Sequence, residues 1–229
     1  MCNTKAVHVP LIESNKFRMN PKDIENSITE KTTVLYCESV SNPLLEVADI
    51  RALAKIAKKH NIQLVIDNTF SPLSISPKIL GADIVIHSLT KFINGSSDTI
   101  GGVVCGRQEL IDQLRNVNDG AAMLLGASMD SLRASSILKN LRTLHIRMKQ
   151  HSHNAMYLAE KFEYEGIKTV YPGLKSHPSH NIFKQQMNKE YGFGGMLTID
   201  VGTLEKANEL MELMQKENLG YMAVSLGFY

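Results

Sequence analysis

The sequence predicts an α/β fold built on a mostly parallel sheet, and three observations carry that expectation. Residues 33–37, 64–66 and 84–86 are short, unbroken apolar runs, the pattern of strands buried on both faces. Between the first two, residues 47–60 place Ile50, Leu53, Ala54 and Ala57 on one helical face. The links between these segments are short, and strand, helix, strand with short links is how parallel strands are joined.

The remaining elements follow in chain order. Residues 6–12 read as a strand. Asn20 and Pro21 mark a helix start, with Asn20 as N-cap and Pro21 at the first helical position. The run 33–37 stops at Glu38-Ser39, and Ser41-Asn42-Pro43 forms a loop. Residues 77–80 make a turn or short helix. Residues 101–105 form another strand after the loop at Gly95, with Gly101-Gly102 in a tight turn, and 107–117 are helical. Residues 120–126 are a loop of small residues. From Ser128 to Glu165 there is neither Pro nor Gly. One long helix is expected there, long enough to leave a first domain and enter a second. Residues 195–201 read as a strand, and Leu204, Ala207, Met211 and Met214 mark an amphipathic helix. The expected division is 1–145, a large domain, and 146–229, a linker helix with an incomplete second domain. One helix and one or two strands cannot bury a full core.

Bulk properties narrow the function. A chain of 229 residues with 43% hydrophobic content can bury a sizeable core. With 25 basic and 23 acidic residues, the net charge of +2 argues against a nucleic-acid or polybasic membrane surface. No apolar run approaches the ~20 residues of a membrane span. The N-terminal Met-Cys-Asn-Thr-Lys lacks the apolar core of a signal peptide, so a cytoplasmic location is expected. Cys2, Cys37 and Cys105 are too far apart for a disulfide framework or a zinc site. Cys37 and Cys105 read as small apolar strand residues.

Chemistry is expected at two strand ends. Asp67 follows the run 64–66, and Lys91 follows 84–86 after His87-Ser88-Leu89-Thr90. Reactive groups in α/β sheets collect where strands give way to loops. A carboxylate and an amine at neighbouring strand ends suit pyridoxal 5′-phosphate. The amine joins the aldehyde, and the carboxylate keeps the pyridine nitrogen protonated. Ser88 and Thr90 flank the lysine with hydroxyls suited to phosphate oxygens. His87 reads as a packed strand residue. His145, His151 and His153 read as a solvated helix face, because positions 151 and 153 point apart. His177 and His180 read as structural loop residues.

These residues also carry a resemblance. The stretch HSLTKFINGSSD resembles the cofactor-attachment motif of the Cys/Met-metabolism pyridoxal-phosphate enzymes: cystathionine γ-synthase, cystathionine γ-lyase, methionine γ-lyase and O-acetylhomoserine sulfhydrylase. ESVSNPLLEVADI, VIDNTF, LGADIVIHS, YPGLKSHPSH, GFGGMLTID and AVSLG resemble further family landmarks, in family order. Three positions depart from the family: Leu89 before Thr90, Phe92 after Lys91, and Ser96 where the family carries His.

The resemblance implies a fold-type I large domain with the start of a smaller C-terminal α/β domain. It implies γ-elimination or γ-replacement on a small amino-acid substrate, with a methionine γ-lyase-like member favoured over a synthase or sulfhydrylase. It places Asn42 near the cofactor's phenolic oxygen and Ser225 at the substrate carboxylate. Homo-oligomers, dimers or tetramers, are implied for the complete protein. Against the family the chain reads as an interior segment, so weak or absent catalysis is expected of it alone. A sugar or amino-acid aminotransferase-like pyridoxal-phosphate enzyme and a non-catalytic piece that binds a partner subunit without cofactor are the competing expectations.

Overall fold

The computed structural model describes residues 5–8 and 20–220. Five strands form the main sheet in sequence order: β1 (Lys5–His8), β2 (Thr32–Glu38), β3 (Gln63–Asp67), β4 (Ile84–Ser88) and β5 (Gly102–Cys105). The first four are parallel, and β5 runs antiparallel to β4. The parallel order follows from the helical crossovers α1 (Pro21–Asn26), α2 (Ile50–Lys59) and α3 (Pro77–Leu80). An antiparallel β5 needs no crossover. The turn after Lys91 and a loop bring the chain straight back.

Local chemistry sets the helix starts. Asn20 accepts from Lys22 N at 3.0 Å, with Pro21 opening α1 as expected. The second helix starts at Ile50 rather than at residue 47 because Asp49 caps it, accepting from Ala52 N at 3.0 Å. The long Pro-free and Gly-free stretch is not one helix. It divides at Arg142-Thr143 into α6 (Ser131–Leu141) and α7 (Leu144–Tyr164). Before it come α4 (Gln108–Arg115) and the single turn α5 (Ala121–Leu124), inside the expected small-residue loop.

Strand alternation gives the sheet two unequal faces. Leu35, Cys37, Leu64, Ile66 and Val85 point to one face and are all buried, in a core with Leu53, Ile56 and Ala57 of α2. Tyr36, Glu38, Asp67, Ile84, Ile86 and Ser88 point to the other and are only half-buried. Cys105 is exposed rather than buried, because β5 is an edge strand with a single neighbour.

The segment after α7 packs back on the first core. Phe183 of α8 (His180–Gln186) is fully buried in it. Gln186 accepts from Ile50 N at 2.8 Å and donates to Ala48 O at 2.9 Å, joining α8 to the start of α2. The last elements are sparser. Strands β6 (Lys168–Val170) and β7 (Thr198–Asp200) form an antiparallel pair, and α9 (Leu204–Lys216) has no buried residue.

Candidate active site

The C-terminal ends of β2, β3 and β4 meet at one edge. Pairing sets Glu38 opposite Asp67, and Asp67 opposite Ile86, so that Ser88 lies two residues further along on the face of Asp67. Beyond Ser88 the chain enters a wide turn, Leu89–Ile93, closed by Asn94 N donating to Leu89 O at 2.9 Å. Lys91 breaks the helical geometry of this turn, with φ −86 and ψ −130. The residue is half-buried.

Both oxygens of Asp67 are engaged. Oδ1 accepts from Thr69 N at 3.0 Å and from Thr69 Oγ1 at 2.6 Å. Oδ2 accepts from the Tyr36 hydroxyl at 3.2 Å. The Thr69 hydroxyl oxygen in turn accepts from Ser88 N at 2.8 Å. A continuous hydrogen-bonded path thus runs from the Asp67 carboxylate to the strand end that leads into Lys91. Below it, Asn68 N donates to Ile86 O at 2.8 Å, and the buried Asn68 side chain ties Ser71 and Ile75 into the same loop. This loop is fixed from both strands before any ligand arrives.

The turn bearing Lys91 is held from the other side by α6 and α7. Arg147 donates from Nη1 to Phe92 O at 2.6 Å and from Nη2 to Ile93 O at 3.0 Å. Its fork geometry suits two adjacent carbonyls, and burial lowers its pKa. Gly95, with φ +71, lies against this guanidinium, where a Cβ would overlap Nη1. Asn140 donates to Asn94 Oδ1 at 2.9 Å and to Ser96 Oγ at 3.1 Å, so Ser96 serves the turn's scaffold. Phe92 and Ile93 insert beside Ile137, Leu144 and Met148, which anchors the turn by apolar packing as well.

The other expected site residues fall as follows. Ser88 and Thr90 are half-buried on either side of Leu89. Thr90 Oγ1 accepts from Gly101 N at 3.1 Å, so part of its hydrogen-bonding capacity already stitches the turn to the start of β5. Asn42 is exposed, beyond the end of β2, and its backbone N donates to Glu38 Oε2 at 3.2 Å. Ser225 lies outside the described residues.

The histidines divide. His177 and His180 are structural, as expected: His177 Nδ1 accepts from Ser179 N at 3.1 Å, and His180 Nδ1 lies 2.9 Å from Pro172 O. The expectation of a solvated helix face fails for His151. Its ring stands edge-on to Phe92, 5.4 Å between centroids, with Nε2 buried and without a hydrogen-bond partner among the described residues. Burial, then the nearby Arg147 charge, lowers its pKa. Burial lowers His87 likewise.

Sequence reasoning misses Tyr36, Arg147 and Asn140. Tyr36 had one available signal: it sits two residues before Glu38, so strand alternation puts both on one face. Register was needed to bring that face to Asp67. The donor set at this edge suits pyridoxal phosphate: a carboxylate for the pyridine nitrogen, an amine for the aldehyde and hydroxyls for the phosphate. Among the described residues no group of His, Cys, Asp and Glu could hold a metal ion. No helix among them is long and apolar enough to cross a membrane.

Comparison with known proteins places this edge in context. The sequence profile of the Cys/Met metabolism PLP-dependent enzymes matches residues 4–229. The chain is 46% identical to a methionine gamma-lyase of Arabidopsis thaliana, over 90% of this chain and 47% of that protein. It is 42% identical to a cystathionine beta-lyase of Coxiella burnetii, over 89% of this chain and 52% of that protein. The crystal structure of metB from Corynebacterium glutamicum superposes with a TM-score of 0.84 at 34% identity, covering 92% of this chain and 54% of that one. The chain belongs to the Cys/Met metabolism PLP-dependent enzyme family. It spans about half the length of the curated relatives it matches.

Proposed function

We propose that a protein containing this chain uses pyridoxal 5′-phosphate to catalyse γ-elimination on a sulfur-containing or O-acylated amino acid. Lys91 and Asp67 are the catalytic pair, and Ser88, Thr90 and Asn42 contact the cofactor. The observation that carries this reading is the path from the Asp67 carboxylate through the Thr69 hydroxyl to Ser88 N, three residues before Lys91. It fixes a carboxylate and an amine-bearing turn relative to each other at the edge of one sheet.

Bound there, the cofactor supplies an aldehyde that captures amines and a ring that accepts electron density. Lys91 would hold the cofactor's aldehyde, and its free amine would take the proton from the substrate α-carbon and move protons along the substrate as the γ-substituent leaves. Asp67 keeps the pyridine nitrogen protonated, which is what makes the ring electron-accepting. Ser88, and the Thr90 hydroxyl within its remaining capacity, donate to the phosphate. Ser225 takes the substrate carboxylate. Elimination followed by hydrolysis with one water releases a 2-oxo acid, ammonia and the γ-substituent, a thiol from a sulfur-containing substrate or a carboxylic acid from an O-acylated one.

The 46% identity to a protein named methionine gamma-lyase supports elimination. A second reading, γ-replacement by an incoming thiol, is supported by 38% identity to a probable cystathionine gamma-synthase of Herpetosiphon aurantiacus. Incubation with methionine, with and without an added thiol-bearing amino acid, separates them: 2-oxo acid and ammonia mark elimination, a new thioether joining the two amino acids marks replacement. The reading includes a homo-oligomer and a cytoplasmic location, tested by light scattering and by fractionation.

Cofactor capture is tested directly. Adding pyridoxal 5′-phosphate should produce a visible absorbance band that Lys91→Ala abolishes and Asp67→Asn shifts or weakens. A band that persists in Lys91→Ala overturns the assignment of the lysine. The absence of any band in the parent supports the non-catalytic piece instead.

A further inference from the structure

Asp67 is held asymmetrically. Thr69 supplies both donors to Oδ1, one from its backbone and one from its hydroxyl. Each carboxylate oxygen has two acceptor directions, so Thr69 fills Oδ1. Among the described residues the Tyr36 hydroxyl is the one donor to Oδ2, leaving one acceptor direction there. Thr69 is only two residues from Asp67 and moves with the same loop. Tyr36 belongs to a different strand, paired to β3 at Val65, and ties the carboxylate to the rigid sheet.

We propose that Tyr36 is a positioning residue for cofactor binding: its phenol fixes Asp67 Oδ2 so that the remaining lone pair meets the pyridine nitrogen. This rests on the reading of Asp67 as partner of that nitrogen. The donor is suited to the task. Burial first, then the Asp67 charge, push the Tyr36 phenol up to about 12, so it stays a neutral O–H through the physiological range. A phenol also brings no charge of its own to compete with a pyridinium for the carboxylate. Lysine or arginine at this position would compete.

Tyr36→Phe tests the proposal, because it keeps the ring and removes only the donor. In cofactor-free protein, ultraviolet titration of tyrosinate should show that Tyr36→Phe removes a late-ionising tyrosine. Asp67→Asn should bring that same ionisation to lower pH. With pyridoxal 5′-phosphate, Tyr36→Phe should weaken affinity about tenfold, the low end for one hydrogen bond to a charged group. The induced circular dichroism of the bound cofactor at saturation should also change, which a general loss of packing in a still-folded protein would not produce. Thermal midpoints confirm that the variants are folded.

Parent-like affinity and dichroism in Tyr36→Phe, beside a clear defect in Asp67→Asn, overturn the role of Tyr36 and leave the reading of Asp67 standing. Parent-like behaviour in both variants, or a parent that takes up no cofactor, overturns the reading of Asp67 and the inference with it. A tyrosine ionisation that Asp67→Asn leaves in place overturns the contact itself.

Discussion

The two ends of the described chain spend their apolar residues differently. In the first region β2, β3 and β4 stack one face on α2, and α8 returns from the far side of α7 to close that core with Phe183. In the last region β6 and β7 form a two-stranded sheet, and α9 leaves Leu204, Met211, Leu213 and Met214 exposed. A cleft of about 1110 Å³ lies among these strands, α7 and α9, lined by residues such as Leu158, Phe162, Met196 and Leu210. Amphipathic spacing is present in both regions. What differs is whether the described residues supply a partner layer, and helices draw most of their stability from that layer rather than from intrinsic propensity. The site residues sit on the region that has it.

This contrast can be broken or sharpened by mutation. The largest effect should come from Phe183→Ala, about 3–5 kcal/mol of stability by urea unfolding, since the side chain is fully buried among core residues. A loss below about 1 kcal/mol would mean that α8 does not close the first core. Arg147→Ala should cost about 2–3 kcal/mol, because two carbonyls lose a charged donor in a half-buried setting. It should also slow cofactor capture by loosening the turn that carries Lys91. Arg147→Lys should recover little, as an ammonium cannot span both carbonyls in the same way.

Acid should weaken the protein through its buried imidazoles. Burial lowers the folded pKa of His87, His151 and His177, so the unfolded chain takes up their protons first as pH falls. Stability is then complete above the unfolded value of about 6.5 and is lost as pH drops through it towards the lower folded values. Urea midpoints measured on either side of that value should fall on the acid side, and His151→Gln should reduce the drop. A midpoint that rises on acidification would contradict the assignment of burial as the cause. The smallest effect should be Leu213→Ala on α9, within about 0.5 kcal/mol, because the side chain is 51% exposed. A larger loss would show that α9 is packed in solution.

What the sequence revealed was mostly local. Asn20-Pro21 starts a helix by its own chemistry, and unbroken apolar runs announce β2, β3 and β4 because a parallel sheet buries its interior. Asp67 and Lys91 were legible as polar residues that end such runs. Contacts requiring register or long-range packing were not. Tyr36 meets Asp67 only once β2 is paired to β3, and Arg147 reaches back 55 positions to Phe92 O. The break at Thr143 carries no Pro or Gly to announce it. The placement of His151 depends on α7 being packed on two sides, by Phe92 and by the last strands, which helical spacing alone cannot convey. Cys105 looked buried because its run is apolar, and lies exposed because its strand has one neighbour.

The proposed chemistry turns on the Lys91 amine, in the turn that follows β4. The most direct measurement is borohydride reduction of the protein with pyridoxal 5′-phosphate, followed by peptide mass mapping. The account predicts a phosphopyridoxyl group on Lys91, with its yield lowered in Asp67→Asn. A label spread over surface lysines, with Lys91 unmodified, would contradict it.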